Sequence, residues 1–233
     1  MQITSHRPLD RTAIHGLPQA GSCDETGCDE FLLVQELTHR IKNELASTMG
    51  FVSLAASRSD SDDVKLALSG VLEHIYDYAG VYKALQMPTS DRVMDAADYL
   101  RTVCRSISRA RLRHKDVQLT FDASPLTLTA HRCWRLGMIV SELITNASRH
   151  ALAEGGGRIQ VALTSRNGQV TCTVADNGPV VGHFRPGLGL RIVRSLAQEL
   201  NGTLDHRLGP DGTIATLLFQ LLAADLSSPA GST

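Results

Sequence analysis

The sequence of 233 residues has few aromatic side chains, no excess of charge of either sign and no long apolar run. Phenylalanine, tyrosine and tryptophan make up 4% of the chain, so the core is expected to consist mainly of Leu, Val, Ile and Ala. Lysine and arginine number 23 against 24 aspartate and glutamate, which predicts no charge-driven nucleic-acid partner. No apolar run approaches the roughly 20 residues that span a bilayer, so no membrane partner is expected.

The five cysteines do not form a recognisable framework. Their number is odd and their spacing does not match any metal-ligand pattern, which favours a reducing compartment and predicts a cytoplasmic protein. Cys23 and Cys28 lie in a polar segment and receive no role.

Composition divides the chain into four segments. Residues 1–27 are rich in glycine, proline and polar residues, which predicts a flexible leader too short to form an input domain. Residues 28–88 have helical periodicity, residues 89–222 have mixed character, and residues 223–233 are expected to form a flexible tail. On this division the protein has no sensor domain of its own, and an upstream sensory protein is a possible partner.

The second segment predicts two long helices joined by a short turn. One runs from Asp29 to a polar break at residues 57–63, and the other runs from Val64 until Met87 and Pro88 stop it. Apolar residues recur at heptad spacing on both helices, for example at Val64, Val71 and Tyr78. A lone antiparallel hairpin would leave much of this stripe in water, so a homodimeric four-helix bundle is expected.

The third segment alternates helical and strand patterns. Two alternating runs flank Asn167 and Gly168, which is a strong β-hairpin signal. The resulting prediction is an α+β sandwich, with helices on one face of a mixed sheet. The expected helices are residues 91–110, 131–152 and 188–200, and the expected strands are residues 117–121, 126–129, 158–164, 169–175, 203–207 and 213–218.

His39 on the first helix has chemically useful neighbours. Helical spacing places it opposite the apolar stripe and on the same side as Glu36 and Asn43, three residues before and four after. A neutral imidazole can attack a phosphoryl group, a carboxylate can bias its tautomer or accept a proton, and a carboxamide can orient water. Taken alone, His39 is better interpreted as an ordinary surface histidine, since the chain has nine, so a catalytic role needs support from elsewhere in the sequence.

A polar stripe follows the helix predicted at residues 131–152. Glu142, Asn146 and His150 fall at steps of four beside an apolar stripe, and Arg149 adds a cation. An asparagine near a glutamate suits a hydrated Mg²⁺ bound mainly through substrate phosphates, and an arginine suits a phosphate. A solvated helix face would have the same pattern.

Two glycine-containing turns complete the candidate site. Asp176 and Gly178 directly follow an apolar strand, where a carboxylate can accept a hydrogen bond from an exocyclic amine. Gly187 and Gly189 open a helix whose N-terminal amides favour an anion. Each turn is common by itself, and the glycine pair does not match the dinucleotide fingerprint.

The order of these motifs resembles a known family. Residues 142–151 (ELITNASRHA) resemble the N box of the GHKL ATP-binding domain of histidine kinases, residues 176–178 (DNG) its D box, and residues 187–190 (GLGL) its G box. Residues 212–219 resemble its closing strand, and residues 39–43 (HRIKN) resemble the HRxKN phosphoacceptor box of the HWE-related subgroup. The resemblance covers about residues 29–220.

The resemblance implies a dimeric helical bundle that carries the phosphorylated histidine, beside a domain that binds ATP and Mg²⁺. His39 would be the acceptor, with Glu36 and Asn43 beside it, and the phosphoryl group would pass to the receiver domain of a response regulator. Glu142 would serve catalysis, and Asn146 would serve both catalysis and the metal. The remaining nucleotide contacts would come from Arg149, His150, Asp176, Gly178, Gly187, Gly189 and Thr213.

The chain departs from the family pattern in two places. Pro179 follows the D box where many relatives have another glycine, and the subgroup's Trp-x-Glu is absent because Leu136 stands two residues after Trp134. Two other functions use the same scaffold. One is a histidine phosphotransferase or response-regulator phosphatase with weak ATP chemistry, and the other is a module that sequesters a protein partner.

Overall fold

The computed structural model describes residues 25–152, 156–178, 187–209 and 211–226, without the side chains of residues 25–35, 37–39, 150 and 151. The chain divides into two compact units, residues 1–41 and 42–233. Most of the expected leader and tail lies outside the described residues, as does the segment between Gly178 and Gly187. Within the described residues, no helix is long and apolar enough to span a membrane.

The two long helices are confirmed. Helix α1 spans Glu25–Arg58 and α2 spans Asp62–Ala84, so α1 begins inside the predicted leader. The Oγ of Ser61 accepts a hydrogen bond from the backbone N–H of Val64 and caps α2. Lys42 Nζ donates to Oε1 of Gln86 at 2.6 Å, which ties α1 to the end of α2 and closes the hairpin.

The helix predicted for residues 91–110 is wrong at its start. Val93–Asp95 form strand β1, and helix α3 spans Ala96–Ile107. The Asp95 carboxylate accepts from the backbone N–H of Asp98 at 2.9 Å, so this N-cap fixes the helix start after the strand. A π-helical turn, Ser108–Leu112, and a 3₁₀ turn, Arg113–Lys115, continue α3.

The sandwich is confirmed: five of the six strands that follow α3 form one mixed sheet, and the remaining one, Thr127–Thr129, lies outside it. Strand β2 is Gln118–Ala123, β3 is Thr127–Thr129, β4 is Arg158–Arg166, β5 is Gln169–Asp176, β6 is Thr203–Gly209 and β7 is Gly212–Gln220. The order is β2-β4-β5-β7-β6, with β2 parallel to β4 and every other pair antiparallel. Strand β3 pairs with β1 in a separate two-stranded sheet.

The turn between β4 and β5 has the conformation that its sequence predicts. Asn167 and Gly168 both have positive φ, 53° and 77°, as the favoured two-residue hairpin turn requires.

The helical layer packs on one face of the sheet. Helix α4 spans Ala130–Asn146 and ends in a π-helical turn, Ala147–Ala151, while α5 spans Leu188–Glu199. The apolar stripe predicted for α4 is buried. Cys104, Cys133 and Cys172 are buried in this core. Burial raises the pKa of their thiols to about 12, so the thiols stay protonated at neutral pH.

The tail predicted from residue 223 begins in the structure with a packed turn. Ala223–Leu226 form a 3₁₀ turn in which Asp225 is fully buried. The Asp225 carboxylate accepts from the backbone N–H groups of Thr129 and Leu222 and lies 3.2 Å from Nη1 of Arg132. The missed signal was a lone acidic residue in an apolar segment, whose buried partner is far away in the sequence.

Candidate active site

Asp176 ends β5 at a position fixed by two strands. Its register partner on β7 is Thr213, and its Oδ1 accepts from the backbone N–H of Gly178 at 3.0 Å. Gly212 has φ +136°, and a Cβ there would lie 1.9 Å from the Asp176 carbonyl oxygen. Only glycine therefore fits against this strand end.

The carboxylate of Asp176 lies half-buried among donors. Burial raises the pKa of Asp176, while hydrogen bonds from Gly178 and Thr213 and the nearby His206 act in the opposite direction. Burial exceeds these effects, so ionising this carboxylate costs more than it would in water. A half-buried carboxylate held at a strand end is suited to accept a hydrogen bond from a ligand amine.

His206 is a neighbour of Asp176 to which the sequence assigned no role. Burial lowers the pKa of His206, and the charge of Asp176 raises it, so the imidazole is mostly neutral at pH 7. The alternation of β6 carries the missed signal, because His206 and Leu204 fall on the partly buried positions of the strand.

Asn177 has a structural task beside Asp176. Its Oδ1 accepts from the backbone N–H of Arg158 at 2.6 Å, and its own N–H donates to the Arg158 carbonyl at 3.2 Å. These two bonds join the end of β5 to the start of β4. The Asn177 side-chain oxygen is therefore committed to this join, which leaves the Asp176 carboxylate as the candidate acceptor of this turn.

The N-box and G-box segments meet at Gly189. A Cβ on Gly189 would lie 1.9 Å from Oε1 of Glu142, so the start of α5 packs directly against the Glu142 side chain. Gly187, two residues earlier, has open space around it and is the N-cap of α5 without a side-chain cap in the described structure. Within the described residues, the first N–H groups of α5 thus have no side-chain acceptor and suit an anion.

The rest of the N box spans a change of helix type. Asn146 is the half-buried last residue of α4, and Arg149 is exposed on the following π-helical turn. Lys115 Nζ donates to the Ser148 carbonyl at 3.0 Å and fixes this turn from outside. The side chain of His150 lies outside the described residues.

The polar side chains of the candidate site fit a magnesium ion that keeps water and phosphate ligands better than one coordinated entirely by protein. Among the described residues, no group of three or more His, Cys, Asp or Glu is arranged to hold a metal. Mg²⁺ commonly uses one or two protein oxygens and takes its other ligands from substrate phosphates and water. The Asn146 amide oxygen has the donor chemistry for one such ligand.

The phosphoacceptor box lies on α1. Glu36 is exposed and accepts from Nε of Arg40 at 2.8 Å, an i,i+4 pair that the sequence analysis missed although its spacing is typical. Asn43 is also exposed. The side chain of His39 lies outside the described residues, so its outward orientation stays a prediction.

Comparison with known protein families identifies both parts of the chain. Residues 94–219 match the family described as histidine kinase-like ATPase domain, and residues 36–111 match the family described as histidine kinase. The chain is a member of the histidine kinase family. The first match contains every candidate nucleotide residue, and the second contains His39.

Curated relatives agree with this assignment. The chain is 28% identical over 196 residues to blue-light-activated histidine kinase 2 of Erythrobacter litoralis, a match that covers 78% of this chain and 55% of that protein. It is 26% identical over 186 residues to sensor histidine kinase PdtaS of Mycobacterium tuberculosis, covering 75% of this chain and 36% of that protein. The chain thus spans about half or less of these relatives.

Solved structures share the fold. The histidine kinase domain of the Erythrobacter litoralis EL346 blue-light-activated kinase superposes with a TM-score of 0.53 at 24% identity, covering 80% of this chain and 90% of that one. A bacterial phosphotransferase superposes with a TM-score of 0.57 at 10% identity, covering 87% of this chain and all of the other.

Proposed function

We propose that this chain autophosphorylates His39 from ATP and passes the phosphoryl group to an aspartate in the receiver domain of a response regulator. The observation that carries the proposal is the Asp176 carboxylate, half-buried at a strand end between Gly178 and Thr213. A pocket that had lost ATP chemistry would have no need to maintain a buried carboxylate whose ionisation is costly.

The described residues give each part of ATP a binding partner. Asp176 accepts from the adenine amine, with Thr213 beside it. The uncapped N-terminus of α5 and Arg149 face the phosphates. Asn146 would supply one oxygen ligand to Mg²⁺. When bound, Mg²⁺ would neutralise part of the negative charge of the phosphates.

At His39 a neutral ring nitrogen attacks the γ-phosphorus of ATP. An N–P bond forms, the bond from phosphorus to the bridging oxygen breaks, and ADP leaves. Glu36, already held by Arg40, orients the ring or takes its proton, whereas Asn43 is suited to orient water in a dephosphorylation reaction. Positioning and charge neutralisation supply most of the rate acceleration.

The hairpin supports a homodimer. Val64, Val71 and Tyr82 lie on the apolar stripe of α2, yet they remain 44%, 46% and 47% exposed in the single chain. Because these side chains are already about half buried, covering the rest against a second copy would gain about 0.7–1.5 kcal/mol for each residue. A four-helix bundle of two hairpins provides that cover.

Incubation of the full chain with γ-labelled ATP and Mg²⁺ tests the kinase proposal. An acid-labile, base-stable label is expected on the wild-type chain and on His74→Ala, a matched histidine control on the same hairpin. The label should disappear in His39→Ala and in Asp176→Asn.

Two results would contradict the proposal. A label that persists in His39→Ala would place the acceptor elsewhere. ATP binding without any label, together with phosphoryl transfer from a phosphorylated regulator back to His39, would instead establish a phosphotransferase.

A further inference from the structure

A row of arginines lines a cleft away from the nucleotide site. Arg101, Arg105, Arg109 and Arg113 recur every four residues along α3 and the two turns that extend it. All four line a cleft of about 660 Å³, a size typical of a specific binding site. The cleft's described lining contains no acidic residue.

The other wall of this cleft is an open sheet edge. Strand β2 is the first strand of the sheet, and its only neighbour in the described structure is β4. The N–H groups of Gln118 and Ser124 point toward β4, where they donate to Gly157 and Leu163. Because backbone groups alternate sides along a strand, those of residues 119, 121 and 123 point toward the free edge.

The arginine row runs alongside that edge. Arg101 lies over the Phe121 ring, with 5.7 Å between its guanidinium carbon and the ring centroid. At the other end, Val117 N–H donates to the Leu112 carbonyl, next to Arg113. The helix and the strand are therefore antiparallel neighbours, and Leu119 and Phe121 contribute apolar surface to the cleft between them.

Three of the four arginines have no direct ion pair. Arg101 pairs with the exposed Asp98, whereas Arg105, Arg109 and Arg113 have no ion pair within the described residues. Arg109 and Arg113 also line a smaller cleft with Glu73 and Asp77 of α2. Arg109 lies on a π-helical turn, a feature that occurs frequently at functional sites.

We propose that this cleft, here called the arginine groove, binds an extended acidic peptide segment of a partner protein as an added strand beside β2. Main-chain bonds to the free edge would give affinity, and alternate side chains would face the arginines. Helical residues four apart are separated by about 6 Å. Alternate side chains of a strand are separated by about 6.6 Å, so acidic residues at every second position match the row.

The geometry favours a strand over a compact anion. A small phosphate compound would satisfy the arginines and leave the open edge of β2 unpaired. Positive charges beside an exposed edge also repel basic strands, so the groove selects for acidic ones. This binding does not depend on the kinase proposal, because its readout requires neither ATP nor His39.

Fluorescence anisotropy with the full chain tests the proposal. The probe is a labelled nine-residue peptide with glutamate at every second position and threonine or valine between. It should bind, bind more weakly as salt rises, and lose at least tenfold in affinity when lysine replaces glutamate. Arg105→Glu combined with Arg109→Glu should cause a similar loss, whereas the matched reversal Arg166→Glu with Arg207→Glu should change affinity less than twofold.

Two further readouts separate strand addition from simple charge attraction. Because strand amides alternate sides, N-methylation of one alternate set of peptide amides should abolish binding, and methylation of the other set should not. In the complex, NMR should show slowed amide exchange at Leu119, Phe121 and Ala123. Binding that neither methylated set weakens, or that tripolyphosphate abolishes without any change in amide exchange, would overturn the proposal and identify an anion site.

Discussion

In the α/β domain Leu100, Leu136 and Ile159 are fully buried, whereas on α2 of the hairpin Val71 and Tyr82 keep nearly half of their surface exposed. Both regions carry regular apolar patterns, so the pattern alone does not reveal whether a single chain can cover it. The domain covers its own core with one helical layer and a sheet. The hairpin leaves much of its stripe exposed, and this is the surface that we propose binds a second copy.

Truncating one apolar side chain from each region should give the largest contrast. Leu136→Ala should lower the free energy of unfolding by about 3 kcal/mol, because it leaves a cavity in a closely packed core. Val71→Ala should leave the unfolding of the domain unchanged but weaken dimerisation. Chemical denaturation and sedimentation at several concentrations measure the two effects. Equal loss of stability in both variants would contradict the comparison.

The turn at residues 223–226 extends the comparison to a buried charge. Asp225→Asn should cost about 3 kcal/mol of stability, because it leaves the Arg132 guanidinium buried without its counter-charge. The exposed pair of Asp205 and Arg207 supplies a control, and Asp205→Asn should cost about 0.5 kcal/mol or less. Denaturant titrations measure both free energies of unfolding. Equally small losses in the two variants would contradict the packed turn.

The two glycines of the G box sharpen the comparison within the nucleotide site. Gly189→Ala should displace the Glu142 side chain and reduce the rate of phosphorylation by about tenfold, which corresponds to 1.4 kcal/mol in the barrier. Gly187→Ala meets no described atom within 4 Å, so Glu142 should stay in place; its methyl group at the phosphate-facing end of α5 should raise the KM for ATP but change the rate at saturating ATP less than twofold. Initial rates of label incorporation across ATP concentrations measure both, and similar rates at saturating ATP in the two variants would remove the assigned role of Glu142.

Replacing Asp176 should have the smallest effect on stability. Burial raises the pKa of Asp176 in the folded chain, so the folded state binds this proton more tightly than the unfolded state. The carboxyl group therefore contributes less stability as pH rises through its folded pKa. Asp176→Asn should slightly stabilise the chain at pH 7 and lose that advantage in acid, as thermal unfolding across pH would show. Marked destabilisation at pH 7 would mean that the carboxylate has a structural role.

Much of the fold could be predicted from local pattern. The heptad spacing of α2, the Asn167-Gly168 turn and the buried stripe of α4 all follow rules that depend on residues close in sequence. Strand β1 was missed because three residues carry little periodic signal, and its partner β3 lies more than thirty positions away. The burial of Asp225 was missed for the same reason, since its partners come from α4 and β3.

The candidate site was predicted as separate motifs, and the structure adds how they are joined. Packing of Gly189 against Glu142 and the pairing of Asp176 with Thr213 arise from tertiary contacts between distant segments. Finding His206 required two facts: that its side chain lies on the partly buried face of β6, and that β6 pairs with β7, the strand that carries Thr213. The arginine groove could be recognised only from the strand order of the sheet, because no sequence pattern identifies β2 as an edge strand.

Calorimetric titration of the full chain with ATP and Mg²⁺ tests the central claim most directly, since it asks whether Asp176 reads a nucleotide in a formed pocket. Wild-type chain and His39→Ala should bind with equal affinity, whereas Asp176→Asn should show no binding heat at the same concentrations while remaining folded. Equal affinity of Asp176→Asn and the wild-type chain, or no binding by the wild-type chain at all, would contradict the account.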